Sequence, residues 1–420
     1  MTVKKYSSGL TVIVEENAAL RSVTSGIMVG TGSAYETPEN SGISHFIEHM
    51  QFKGTQKRTA QDIVNDFDAA GAVYNAYTGK EYTCYYFKSI DEKTEYCFEI
   101  LSDLFLHSAY NADELDRERK VILEEINMSF DEPDGMCYDV LYGTAFAGCS
   151  LGMEILGTKA NVARFGKPDI LEYKKKRYLP ADTVVAFVGN ITQAAALGIV
   201  EKYMKEFIDV EYVAAPRLER QQVKAGYGEY IHDYEQSELS IAFPCMSVGD
   251  DRAPVLSALD CILGSGMSSR LFQRLREQMG LVYSVYTSPW LGSANGLFGV
   301  CANVNVQNLE KAVRAVRGEI DKLTKSGVTE EETQKAKMQL KANVVFAKEN
   351  PMSYMQTLQR RRVLLDEDYD IDKLLARIDR ITRDDINTLA REIFSCEPTI
   401  AYAGKKPPCD ISETFGKMKN

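Results

Sequence analysis

The chain is poor in histidine and tryptophan, with four of the first and one of the second in 420 residues, and it contains no apolar run long enough to cross a membrane. Basic residues are also in deficit: 49 Lys and Arg against 60 Asp and Glu give a formal charge of −11 and a pI of about 5.2. A surface of that sign repels phosphate backbones, so nucleic acid is not expected as a partner. Nine cysteines (Cys84, Cys97, Cys137, Cys149, Cys245, Cys261, Cys301, Cys396, Cys409) are odd in number, scattered, and form no C-x-x-C pair. They read as reduced thiols, which excludes a cysteine zinc site and a disulfide framework. The first 17 residues carry one short apolar run, Leu10-Thr11-Val12-Ile13-Val14, and no cleavage-site pattern. No signal peptide is therefore expected, and a cytoplasmic protein without a membrane partner is.

What the chain does have is an ordinary globular balance, 45% apolar and 26% charged, over a length that calls for two or three domains. Two of the four histidines fall in His45-Phe46-Ile47-Glu48-His49. On a helix, positions four apart lie one turn above each other, so His45 and His49 present two imidazoles to one point. Glu48 sits where a carboxylate reaches water at that point without itself ligating, which makes it a candidate general base. The spacing is that of the inverted zincin motif H-x-x-E-H. The plainer reading is a solvated or core helix that happens to carry two histidines; His107 and His232 form no cluster with them.

A third ligand is sought on the helix expected over residues 111–129. Leu115, Glu118, Ile122, Glu125 and Met128 recur at spacings of three and four and share one mostly apolar stripe, whereas Glu124 falls with Arg117 and Lys120 on a charged face. Glu125 is the better ligand and Glu118 a carboxylate that supports one. A surface helix whose acids line up by chance is the alternative.

The rest of the chain reads as strands and helices in alternation, and its second half repeats its first. Gly280-Leu281-Val282-Tyr283-Ser284-Val285-Tyr286-Thr287 echoes Gly71-Ala72-Val73-Tyr74-Asn75-Ala76-Tyr77-Thr78, and Thr399-Ile400-Ala401-Tyr402-Ala403-Gly404 echoes Val184-Val185-Ala186-Phe187-Val188-Gly189. The expected fold class is α+β: two homologous domains from an internal duplication, each a mostly antiparallel sheet packed with helices. The expected division is a metal-binding domain over 1–212, a polar linker over 213–226, and a homologous domain over 227–420. The ligands are not repeated: Asn343 aligns with Glu125, and Gly264-Ser265-Gly266-Met267-Ser268-Ser269-Arg270-Leu271-Phe272 stands where the histidine helix would be. Its glycines match no phosphate-binding pattern and read as a loop.

Gly42-Ile43-Ser44-His45-Phe46-Ile47-Glu48-His49-Met50, followed by Phe52-Lys53-Gly54-Thr55, closely resembles the signature of the pitrilysin/insulysin family of zinc peptidases, in particular its branch of mitochondrial processing peptidases and their bacterial relatives. The resemblance runs over nearly the whole chain. It departs at Gln51, where that branch usually has an apolar residue. What it implies is one Zn²⁺ per chain on His45, His49 and Glu125, with Glu48 as general base for a zinc-activated water and Glu118, seven residues before the third ligand, as a supporting carboxylate. Arg276 and Tyr283 resemble the family's arginine and tyrosine that reach the substrate near the zinc. Asn75, Ala76 and Tyr77 lie on a strand that resembles the family's substrate edge, where an extended peptide adds as an extra strand. The expected substrates are thus peptides or flexible tails, cut in a closed chamber formed by a homodimer or by a heterodimer with a related subunit. The family also includes subunits that keep the fold, have lost catalysis and serve as structural partners. Those lack the zinc triad or the Arg/Tyr pair; this chain carries both.

Overall fold

The structure is a computed structural model that describes residues 1–417. Eleven strands among them form two sheets. The first contains β1 (Thr2–Lys5), β2 (Thr11–Glu16), β3 (Ser22–Val29), β4 (Val73–Thr78), β5 (Thr83–Ile90) and β6 (Thr183–Gly189), in the order β1-β2-β6-β3-β5-β4. The second contains β7 (Gly226–Ile231), β8 (Ser237–Cys245), β9 (Val282–Leu291), β10 (Gly296–Val304) and β11 (Thr399–Gly404), in the order β7-β11-β8-β10-β9. Leaving out β1, the two orders are the same, and in each the only parallel pair is the equivalent one, β2 with β6 and β7 with β11. The duplicated α+β architecture follows directly. Strand chemistry matches position: β6, central and fully buried, is a continuous apolar run, whereas β4 is an edge strand on which exposed Val73 and Asn75 alternate with half-buried Tyr74 and Ala76.

The chain divides into two compact units, one of Met1–Ile126, Met153–Leu218 and Phe346–Tyr369, the other of Asn127–Gly152, Glu219–Val345 and Asp370–Asn420. Set beside the division 1–212, 213–226 and 227–420 read from the sequence, each unit also includes a helical segment from the other half of the chain. Helix Pro351–Leu365 packs on β3 and β6, where Met355, Leu358 and Val363 join a core with Met28, Val184 and Ala186. Its fully buried Gln359 donates to the carbonyls of Gly26 (2.7 Å) and Val184 (3.1 Å), so no polar group is orphaned there. Helix Pro133–Ala145 does the equivalent in the second unit, packing on β7, β8 and β11, with Cys137 Sγ 3.5 Å from the Ala401 carbonyl. The two helices follow equivalent long helices, Ala112–Ser129 and Glu330–Glu349. Residues 211–225, around the border between the units, have neither helix nor strand. All nine cysteines are free, and no described helix is long and apolar enough to cross a membrane.

Candidate metal centre

The first unit carries helix Ile43–Gln51, and its rotation is set by what it buries. Ile43, Phe46, Ile47 and Met50 go into the core, which leaves His45, Glu48 and His49 half-buried on the remaining face. Gly42 opens the helix at φ 95°, and a Cβ there would lie 2.6 Å from the Leu156 carbonyl, so only glycine fits. With no side chain at that cap, the free N–H groups are met from elsewhere: the Glu36 carboxylate accepts from Gly42 N–H at 2.7 Å and from Ser44 N–H at 2.8 Å. Burial pushes the Glu36 carboxyl up to about 7, against the pull of those two N–H groups. At the other end the fully buried Gln51 amide lies 3.0 Å from the Tyr110 hydroxyl, so the departure from an apolar residue there is paired.

Helix Ala112–Ser129 supplies the second half. Its buried stripe is Leu115, Glu118, Ile122 and Ile126, with Glu125 half-buried beside it. Met128, expected on that stripe, is 61% exposed, because at about 100° per residue Ile126 continues the line of Ile122 and Met128 has turned away.

The two helices bring five expected residues together. His45 Nε2 and His49 Nε2 are 3.2 Å apart, and Glu125 Oε2 lies 3.4 Å from the second and 3.9 Å from the first. Among the described residues these three form the only group of three or more His, Cys, Asp or Glu able to hold a metal ion, with ligand atoms all within 4.8 Å. Glu118, 5% exposed, accepts from His49 Nδ1 at 2.8 Å through one oxygen and from Lys53 Nζ at 2.8 Å through the other. Burial would raise the Glu118 carboxyl, but these two bonds hold it below the usual range, and the first orients the His49 ring with Nδ1 on Glu118 and Nε2 toward His45 and Glu125. His49 itself is pushed down by burial and more strongly up by Glu118, Glu125 and Glu48. Burial, and then the charge of His49, push His45 down to about 3, so its ring is held neutral. Two imidazole nitrogens and a carboxylate converging on one point, one ring already braced by a carboxylate, are a donor set that fits zinc.

Glu48 lies on the same helix face, where burial raises its carboxyl and the hydroxyl of Thr78, 2.5 Å away, opposes that rise. Thr78 ends β4, which bonds β5 on one side and has no partner strand on its other edge among the described residues. Of the residues expected there, Asn75 Oδ1 accepts from the Ala76 N–H at 2.8 Å, and Tyr77 packs against Tyr82 and Tyr86 at 6.2 and 6.3 Å. Arg276 and Tyr283 belong to the second unit. Arg276 sits in the π-helix Phe272–Gln278, its guanidinium 4.9 Å from the Phe272 ring and 5.8 Å from that of Tyr283, and Tyr283 is 77% exposed. Sequence reasoning missed Glu36 and the part played by Thr78. Neither stands at a telling spacing from the motif; only the fold brings them to it.

Two family models match in tandem. Residues 11–159, which include the histidine pair and Glu125, match the model described as insulinase (peptidase family M16), and residues 164–340, which include Arg276 and Tyr283, match the model described as the peptidase M16 inactive domain. The uncharacterized zinc protease YmxG of Bacillus subtilis is 34% identical over 401 residues, covering 95% of this chain and 97% of its own. Among solved structures, a protease from Helicobacter pylori superposes with a TM-score of 0.89 at 20% identity, over 96% of this chain and 99% of that one. A chain of complex III2 from Candida albicans superposes at 0.85 and 18% identity over 99% of both, which shows the fold alone. With relatives named zinc proteases aligned along nearly its whole length and the inverted H-x-x-E-H motif inside the first matched domain, this chain belongs to the insulinase family of zinc metallopeptidases, peptidase family M16.

Proposed function

We propose that the chain is a zinc-dependent endopeptidase acting on extended peptides or flexible segments, with His45, His49 and Glu125 holding the metal. The observation that carries this reading is the convergence of those three ligand atoms within 4.8 Å, beside an acidic residue, Glu48, that is not one of the group. Zinc bound there supplies a Lewis acid that polarises a peptide carbonyl and acidifies water. Glu48 takes the proton of the attacking water on its carboxylate and gives it to the leaving amine. Glu118 keeps the His49 ring oriented, with Nε2 turned toward the metal position. The free edge of β4, through Asn75, Ala76 and Tyr77, pairs with the backbone of an extended peptide, which restricts substrates to segments that can unfold.

Arg276 and Tyr283 complete the reading as donors to the tetrahedral oxyanion or to the peptide, contributed by the second copy in a homodimer that closes the chamber. Both are exposed on the second unit, which supports this. The role of a structural partner subunit that has lost catalysis is disfavoured because the full residue set is present.

Hydrolysis of a peptide library, with zinc content measured before and after chelation, tests the activity. Glu48→Gln should keep its zinc and lose roughly 10²- to 10⁴-fold in kcat. Mixing Glu48→Gln with Tyr283→Phe under subunit exchange should restore roughly a quarter of wild-type activity, because one site of each mixed dimer inherits neither defect. A fully active monomer would sink the shared-site proposal, and a Glu48→Gln enzyme at wild-type rate would sink the mechanism.

A further inference from the structure

A general base must be held in one orientation, and a glutamate with three rotatable bonds is not held by its own backbone. Glu48 is tied from a different element 30 residues away: the Thr78 hydroxyl donates to its Oε2 at 2.5 Å. An ionised carboxylate can only accept, so the direction of the bond is fixed.

Where Thr78 sits gives the bond its meaning. It is the last residue of β4, paired with Thr83 of β5, at the end of the hairpin that is pinned to the rest of the unit. Gly79 N–H donates to the Tyr82 carbonyl (2.8 Å), Ser33 N–H to the Gly79 carbonyl (3.2 Å), Ala34 N–H to the Lys80 carbonyl (2.8 Å), and the buried Thr83 hydroxyl to the Thr31 carbonyl (2.9 Å). A Cβ on Gly32 would fall 2.2 Å from the Gly79 carbonyl, so the two segments approach as closely as backbone allows. The far end of the strand is loose by contrast, with Val73 67% exposed. Thr78 therefore stands on the rigid end of the same strand whose open edge is offered to a peptide.

We infer that Thr78 is a positioning residue for Glu48, fixing its carboxylate relative to the β4 edge so that the base and the strand that registers the substrate form one rigid element. The inference rests on the endopeptidase reading and adds to it the residue that couples substrate register to the base.

Kinetics of Thr78→Val and Thr78→Ser on one peptide substrate test it, each made in the wild-type and in the Glu48→Gln background, with zinc content and melting temperature measured alongside. Valine keeps the shape and removes the hydroxyl. Thr78→Val should lower kcat about tenfold to a hundredfold, leave KM within about twofold, and retain zinc. Thr78→Ser should recover most of the rate, and in Glu48→Gln the valine should cost nothing further, since the group it positions is gone. If valine destabilises the fold, Thr78→Ala against Thr78→Ser makes the same comparison without the added methyl. A Thr78→Val enzyme with wild-type kcat beside an inactive Glu48→Gln would overturn the positioning role alone, as would a valine effect of the same size in both backgrounds. A Glu48→Gln enzyme at wild-type rate would remove the endopeptidase reading and this inference with it.

Discussion

The two sheets run the same course, β2-β6-β3-β5-β4 in one and β7-β11-β8-β10-β9 in the other, yet the helix that follows their third member carries different side chains. Between β3 and β4 the chain makes helix Ile43–Gln51, which buries one face and keeps His45, Glu48 and His49 on the other. Between β8 and β9 the equivalent helix is Ala253–Leu263, not the Gly264–Phe272 stretch expected in its place; it buries Pro254, Leu256, Ala258, Leu259, Cys261, Ile262 and Leu263, and its half-buried face carries Ala253, Ser257 and Asp260, with no histidine. One bond survives in both: Thr287 on β9 donates to Asp260 on that helix at 2.5 Å, as Thr78 on β4 does to Glu48. A threonine on the edge strand tethering an acid on the neighbouring helix is thus part of the duplicated architecture, and in the first unit that acid is Glu48, the proposed base. The lesson is that fold and chemistry separate cleanly here: the scaffold was copied, and the site is a handful of side chains on one copy.

The strongest way to break that contrast is at Glu125, the proposed third ligand. Glu125→Gln should lower zinc affinity by more than the roughly 10–100-fold typical of outer carboxylates, while the neighbouring exposed Glu124→Gln should not change it. The reverse substitution in the copy, Asn343→Glu, should leave the zinc stoichiometry where it was, because no histidine pair faces it in the second unit. Metal titration with competing chelator reads all three. A second zinc in Asn343→Glu would mean that the duplicated unit keeps a latent site.

A smaller effect sharpens how the first unit prepares its ligands. Glu118 holds His49 Nδ1 on one oxygen and Lys53 on the other, both at 2.8 Å, so Glu118→Gln retains the shape but loses the charge and one acceptor. Activity or zinc affinity should fall roughly 10–100-fold with the fold intact. Wild-type kinetics together with wild-type zinc affinity would reduce Glu118 to a partner of Lys53.

How much of this could be seen in the sequence follows from which interactions are local. His45, Glu48 and His49 are one turn apart, so their convergence is a property of helical spacing, and the stripe that singles out Glu125 over Glu124 is equally local. The duplication was legible because the echoed runs are strands whose pattern the two sheets share. Glu36, Thr78 and the exchanged helices were not. Glu36 reaches the helix N-terminus from outside it, Thr78 meets Glu48 only after the hairpin folds back, and the apolar faces of helices Pro133–Ala145 and Pro351–Leu365 do not state which of two similar sheets they cover. The π-helix around Arg276 is also silent in sequence, since no residue type dictates a widened turn.

The last prediction concerns stability and uses the lone tryptophan to address one unit at a time. Trp290 lies in β9 of the second unit, 5.5 Å from the Tyr142 ring and 6.2 Å from that of Phe146, so its fluorescence reports unfolding of that unit. In the same unit Glu238 on β8 is 4% exposed, and burial, then the charge of Asp134, push its carboxyl up to about 8, although a hydrogen bond with Asn303 opposes the rise. A carboxyl raised in the folded state binds its proton more tightly than the unfolded chain does. Its stabilising contribution is complete below the ordinary carboxylate range and is lost as pH rises through 8, with a slope of at most about 1.4 kcal/mol per pH unit. Glu238→Gln cannot ionise, so the Trp290-detected melting temperature of this variant should fall less between pH 5 and pH 9 than that of the wild type. The first unit has its own raised carboxyls, Glu36 and Asp182, both pushed up to about 7 by burial, and these should keep the pH dependence of that unit unchanged in the variant. Equal pH dependence of the tryptophan signal in wild type and Glu238→Gln would show that Glu238 is ionised in the folded protein, with Asn303 and solvent outweighing its burial.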